Sequence, residues 1–202
     1  GILNIDILSF QRLAYRVFEE TGTRVGKVLE ETGKNLVLRK IAQERKGELK
    51  VLGGNLKKMG YISEIKSLIS ELTQYAVTEE ALADFLESKE KPHLYYKLCD
   101  VQILYKAFHA YLADQYITAE ELLEVLCRVV ERSEMIRESV IVLDGFTGFT
   151  PIQNKLMQKL MLYAKKVMVT VTIDERENPY HVEGEHQLFY LSKKTVAGLK
   201  RL

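Results

Sequence analysis

Residues 140–153 read VIVLDGFTGFTPIQ, and they decide the fold class. Val140, Ile141, Val142 and Leu143 form a short, continuous apolar run that ends on an acid and a glycine-punctuated turn. That is the pattern of a strand buried on both faces of a parallel sheet. The turn leads straight into a helix. Thr150 stands at the N-cap, Pro151 at the first helical position and Gln153 at the third, so Thr150 and Gln153 can satisfy each other's backbone donors as a capping box. A strand, an acid at its carboxyl end, a turn and a helix make up the place where open α/β sheets hold ligands.

Outward from this stretch, 5–10 is predicted as a short strand and 11–20 as a helix with Leu13, Ala14, Val17 and Phe18 on one face, stopped at Gly22. From 36 to 130 the apolar spacing is helical throughout, and Thr118 with Glu121 forms a second capping box ahead of Leu122 and Leu126. Downstream, 167–173 reads as the next strand, 174–186 as a polar loop and 188–202 as a helix rich in Lys and Arg. The expected fold is α/β: a parallel sheet from residues 1–32 and 138–202, interrupted by a helical subdomain over 33–137.

Composition is that of an ordinary globular protein: 202 residues, 47% hydrophobic and 28% charged. No run approaches a membrane span, and 1–11 lacks the pattern of a secretion signal, so the expected location is cytoplasmic, away from membranes. Cys99 and Cys127 follow no metal-binding spacing and read as reduced core residues. The net charge of +1 is spread unevenly: +5 over 1–60, −7 over 61–139 and +3 over 140–202. Basic flanks around an acidic middle suggest that the sheet-forming part faces a polyanion; chance clustering on solvated faces accounts for them equally well. Gly26-Lys27 and Gly33-Lys34 do not make a phosphate-binding loop, because Gly22 to Gly26 is one residue short and Val28 replaces the magnesium-binding hydroxyl. His181, Glu183, Glu185 and His186 lie in a polar loop without ligand spacing.

Asp144 to Gln153 aligns without a gap to the Walker B motif of UvrD-type superfamily-one helicases, in which a strand ends in Asp-Glu-Phe. The Asp-Gly-Phe variant, with a second Phe and a Pro following, resembles the AddB family, the second subunit of bacterial AddAB helicase-nucleases. Residues 8–15 (LSFQRLAY) are similar to that family's counterpart of motif Ia, and 171–174 (VTID) to its degenerate motif III. The resemblance implies that the sheet of 1–32 and 138–202 is a truncated RecA-like one of the P-loop NTPase type, and that the chain is a module of an ATP-dependent helicase-nuclease in double-strand-break repair. It would grip single-stranded DNA and scan it for the Chi signal beside an AddA-type partner subunit.

Active helicases of this class need the Walker B acid for magnesium, the next Glu to orient water, and a P-loop. Here Gly145 cannot act as base, and the family's P-loop would precede Gly1, so neither ATPase nor nuclease activity is expected and no catalytic residue is assigned. Asp144 and Gly145 form a degenerate Walker B. Magnesium-ATP and an iron–sulfur cluster are implied for the full complex alone. Candidate DNA-binding residues are Ser9, Phe10, Gln11, Arg12, Tyr15, Phe146, Thr147 and Phe149: hydroxyls and an amide for phosphates, a guanidinium for a guanine edge, and rings for base stacking. Phe10 and Phe146 serve equally well as core residues. Two further readings stay open, a working ATPase motor cut short of its P-loop and a docking scaffold for the partner subunit.

Overall fold

A computed structural model describes residues 4–55, 58–87, 92–113 and 116–202, and the chain divides into two compact units. The first comprises 1–24 with 122–202, the second 25–121. Fold class is α/β, helix-rich, with two small parallel sheets. Among the described residues no helix is long and apolar enough to cross a membrane.

The first unit opens with α1 (Phe10–Thr21), capped by Ser9 at its start and ended by Gly22, whose φ of +64° lets the Thr23 N–H reach back to the Phe18 carbonyl at 2.9 Å. The boundary between units falls within α6 (Ala119–Val129), which continues as a 3₁₀ turn over Val130–Arg132 and then α7 (Glu134–Glu138). Next comes a β–α–β unit: β3 (Val140–Leu143), α8 (Pro151–Tyr163) and β4 (Lys166–Val169). The strands pair in parallel from Val140↔Lys166 to Leu143↔Val169. Parallel neighbours need a crossover, which α8 supplies while burying Ile152, Leu156, Met157 and Leu160. Helix α9 (Tyr190–Leu199) follows the polar loop, with the Lys193 ammonium, largely buried, held by Glu177 at 2.6 Å.

Three expectations for this unit need correction. Residues 5–9 form no strand, Ile7 is 93% exposed, and Phe10 already belongs to α1. Their apolar alternation has no neighbouring strand to pair with, and without a ladder the pattern is only an extended segment. Strand β4 stops at Val169 instead of reaching Ile173. And β3 is covered on one face alone, since Val140 and Val142 are 56% and 55% exposed while Leu143 is buried.

The second unit is built from α2 (Glu31–Glu44), α3 (Met59–Gln74), α4 (Glu79–Glu87) and α5 (Pro92–Leu112) around a core that includes Leu38, Ile41, Ile69, Leu104, Phe108 and Leu112. It is not helical throughout, because β1 (Lys27–Val28) and β2 (Tyr116–Ile117) pair in parallel at its two ends. Gly33-Lys34 lies in the first turns of α2, where the Lys34 side chain is buried against Glu120 at 3.4 Å and Glu31 at 3.1 Å. The Thr118–Glu121 capping box forms as read: Glu121 accepts from the Thr118 N–H at 2.6 Å and Thr118 Oγ1 from the Glu121 N–H at 3.2 Å. Charge redistributes once the units are known. The first carries 15 Lys/Arg against 13 Asp/Glu and the second 14 against 15, net +2 and −1, so the basic flanks do not persist as a property of either unit.

Two carboxylates set local structure. Asp100, fully buried on α5, accepts the N–H groups of Lys50, Val51 and Leu52 at 2.7–2.9 Å and so fixes the start of the 3₁₀ turn Leu52–Asn55. Asp100→Ala leaves three donors without their acceptor, and equilibrium urea unfolding is expected to lose about 2–4 kcal/mol. In the first unit Glu20 accepts from the buried Ser133 hydroxyl and, at 2.8 Å, from the Met135 N–H, which ties α1 to the start of α7. Burial pushes the Glu20 carboxyl up, but the bonds from Ser133 and from the Met135 and Glu134 backbone outweigh it and hold it below the ordinary range. A lowered pKa stabilises above the unfolded value, about 4.3, and that contribution disappears as pH falls through the folded value. The melting midpoint is therefore expected to fall less between pH 7 and pH 3 in Glu20→Gln than in the parent chain.

Candidate nucleic-acid interface

The end of β3 and the start of α1 build one surface inside the first unit. Gly145 takes φ +74°, a left-handed conformation that begins the turn and that an L side chain rarely adopts. The turn then presents Phe146 and Phe149. Their rings stack at 5.2 Å with an interplanar angle of 19°, and Phe146 also meets Phe10 at 5.6 Å, tilted by 48°. Phe10 is the first residue of α1, so the contact joins segments 136 residues apart. All three rings are half-buried, each with part of its surface facing solvent.

At its far end the turn is held by α8. Thr150 Oγ1 accepts the Gln153 N–H at 3.4 Å and Gln153 Oε1 accepts the Thr150 N–H at 2.9 Å, while the Asn154 amide donates to the Phe149 carbonyl at 3.4 Å. The capping box read from the sequence is present in full.

Of the remaining candidates, Ser9 is occupied as a cap, its Oγ accepting the Arg12 N–H at 3.3 Å. Gln11, Arg12 and Thr147 are exposed, and among the described residues their side chains make no hydrogen bond or ion pair. Arg16, one turn on from Arg12, is by contrast taken up by Asp6 at 2.7 and 3.1 Å. Tyr15 is partly exposed and meets Phe18 edge-on at 6.5 Å. At three residues' spacing, Arg12 and Tyr15 lie on one face of α1. Neither α1 nor α8 has an acidic residue in its first turn, so both present an uncompensated positive dipole end.

Asp144 is engaged. Asp144 Oδ1 accepts from the hydroxyl of Thr170, and Thr170 Oγ1 accepts the Gly145 N–H at 3.3 Å. The carboxylate at this turn is therefore already bonded, and position 145 offers no side chain beside it. Among the described residues no group of three or more His, Cys, Asp or Glu could hold a metal; His181 instead contacts Glu183 at 3.1 Å. Thr170 was not among the candidates. Its only trace in the sequence is a hydroxyl inside the run 167–173 that reads as a strand, a signal too common to single out.

The model of the family described as "ADDB, N-terminal" matches residues 1–202. The chain belongs to that family. It is 49% identical over 203 residues to a protein of Lachnoclostridium phytofermentans named as a subunit of an ATP-dependent helicase/deoxyribonuclease, covering all of this chain and 18% of that protein. Proteins of the same name from Clostridium kluyveri and Geobacillus kaustophilus are 34% identical over 174 residues and 31% identical over 211, covering 86% and 100% of this chain and 15% and 18% of theirs. The chain thus spans less than a fifth of the length of these curated relatives. Two of the segments that carried the resemblance, 8–15 and 144–153, meet through Phe10 and Phe146.

Because α8 begins where the aromatic turn ends, its cap also anchors that turn. Thr150→Ala is expected to cost about 1 kcal/mol in urea unfolding, and Thr150→Ser to cost less than half as much, since the serine hydroxyl still accepts from Gln153.

Proposed function

We infer that this chain is a single-strand-binding module, derived from a RecA-like helicase domain, that grips or scans DNA without driving along it. One observation carries the reading: Phe10, Phe146 and Phe149 converge from two segments into one partly exposed aromatic surface, and Arg12, exposed and without a hydrogen bond or ion pair among the described residues, stands on the same helix as Phe10. Stacking on rings tolerates any base, and each stacked base contributes about 1–3 kcal/mol. Arg12 can make two bonds to a guanine edge, Gln11, Tyr15 and Thr147 can reach phosphates, and the positive ends of α1 and α8 favour a polyanion there. Ser9, committed to capping, acts by orienting Arg12.

Within a longer protein like the relatives, the module would serve an ATP-dependent helicase-nuclease in DNA double-strand-break repair, with an AddA-type partner subunit supplying unwinding. The Chi signal is the sequence it would scan for. ATP hydrolysis does not take place at this turn, because Gly145 offers no base and Asp144 is bonded to Thr170. Any bound nucleotide or iron–sulfur cluster belongs to other parts of such a complex.

Fluorescence anisotropy with labelled single strands, random and guanine-rich, at several salt concentrations tests the reading. The parent chain is expected to bind in a salt-dependent way, and Arg12→Ala to lose about 1–3 kcal/mol on guanine-containing strands. Unchanged binding in Arg12→Ala, combined with loss of partner-subunit association on changing exposed helix faces, would favour a docking scaffold instead.

A further inference from the structure

Thr170 stands one residue beyond β4, outside every segment assigned to the interface, yet it makes three bonds to the root of the aromatic turn. Its N–H donates to the Leu143 carbonyl at 2.9 Å, its hydroxyl donates to Asp144, and the same oxygen accepts the Gly145 N–H at 3.3 Å. Few side chains can do this. A hydroxyl both donates and accepts, so Thr170 bridges a carboxylate and a backbone amide on consecutive residues.

Those two residues decide where the turn points. Gly145 is the position with positive φ, and the next residue carries the ring that touches both Phe10 and Phe149. Between Gly145 and the cap at Thr150, Thr147 and Gly148 make no hydrogen bond among the described residues. The turn is thus held at its ends, by α8 on one side and by Thr170 on the other, and ring contacts alone hold its middle.

We propose that Thr170 is a positioning residue for the base-stacking surface, acting through the Asp144 carboxylate and the Gly145 amide to hold Phe146 and Phe149 in register. In this role an acid at the end of a strand serves as a latch for a turn. The proposal rests on the single-strand-binding reading above.

The test uses the whole 202-residue chain with Thr170→Val, which keeps the β-branched shape and removes the hydroxyl, and Thr170→Ser, which keeps the hydroxyl. Four quantities are read: nuclear Overhauser contacts among the rings of Phe10, Phe146 and Phe149 without DNA, quenching of 2-aminopurine in a bound single strand, the affinity for that strand, and the melting midpoint. Thr170→Val is expected to lose the Phe146–Phe149 contacts, to reduce the quenching and to weaken binding roughly three- to tenfold at an unchanged melting midpoint. Thr170→Ser should restore the ring contacts, the quenching and the affinity.

Ring contacts and quenching that persist in Thr170→Val overturn the proposal, and so does a variant that loses its folded spectrum, since Thr170 would then be a residue of the fold. If the parent chain neither binds nor quenches, the single-strand reading falls, and with it the purpose assigned to the latch. Ring contacts that nevertheless depend on the hydroxyl would then show a latch that orders the turn for something other than bases.

Discussion

Strands that run the same way end on the same side, and much of the first unit follows from that constraint. The register Leu143↔Val169 means that the next residues on the two strands, Asp144 and Thr170, leave the sheet side by side. Their hydrogen bond is what that juxtaposition makes available. The same pairing demands α8 as a crossover, and α8 in turn demands a cap, which Thr150 and Gln153 supply. Between strand end and the Thr150 cap only six residues remain, 144–149, and both of their ends are tied down. A short connection constrained in this way can hold two phenylalanines half out of the core, where a longer loop would let them collapse inward.

The second unit solves a different problem, and buried charge is central to it. Asp100 is fully buried and takes three backbone donors. Lys34, with 3% of its side chain exposed, is surrounded by Glu120, Glu31 and the Ser70 hydroxyl. Pairs of this kind add little net stability, because desolvation offsets attraction, but removing one partner leaves the other stranded. They act on register: Lys34 belongs to α2, Ser70 to α3 and Glu120 to the first turn of α6, so one ammonium fixes the relative sliding of three elements.

What the sequence disclosed and what it hid divide along one physical line. Capping boxes, the Gly22 stop, the helical stripes and the β3–α8 boundary depend on residues within four positions of each other, and each was legible. The ring types were legible as well, though core and surface roles suited Phe10 and Phe146 equally. Their meeting was not legible, because it depends on chain geometry over more than a hundred residues. Residues 5–9 misled for the same reason: alternation is a local property, whereas a strand exists only relative to a neighbour. Asp100 sits in a helical pattern that reads as an ordinary solvent-facing acid, and nothing near it in sequence announces the loop at 50–52 that it holds. The block-wise charge asymmetry failed because the compact units do not follow the blocks.

Gly145 joins the end of β3 to the aromatic turn. In a working motor of this class a glutamate at this position orients the attacking water. Substituting glycine removes that carboxylate, and it also admits a φ of +74°, which for a residue with a Cβ costs on the order of 1–2 kcal/mol. On the proposed function, the missing base and the course of the turn both follow from glycine at 145. Putting the glutamate back at 145 would work against the conformation that carries Phe146 to Phe10, and the acid before it would still be shared with Thr170. On the proposed function, the aromatic surface occupies the place where phosphoryl-transfer chemistry would have to be assembled, and a side chain at 145 would weigh against the conformation that the surface uses.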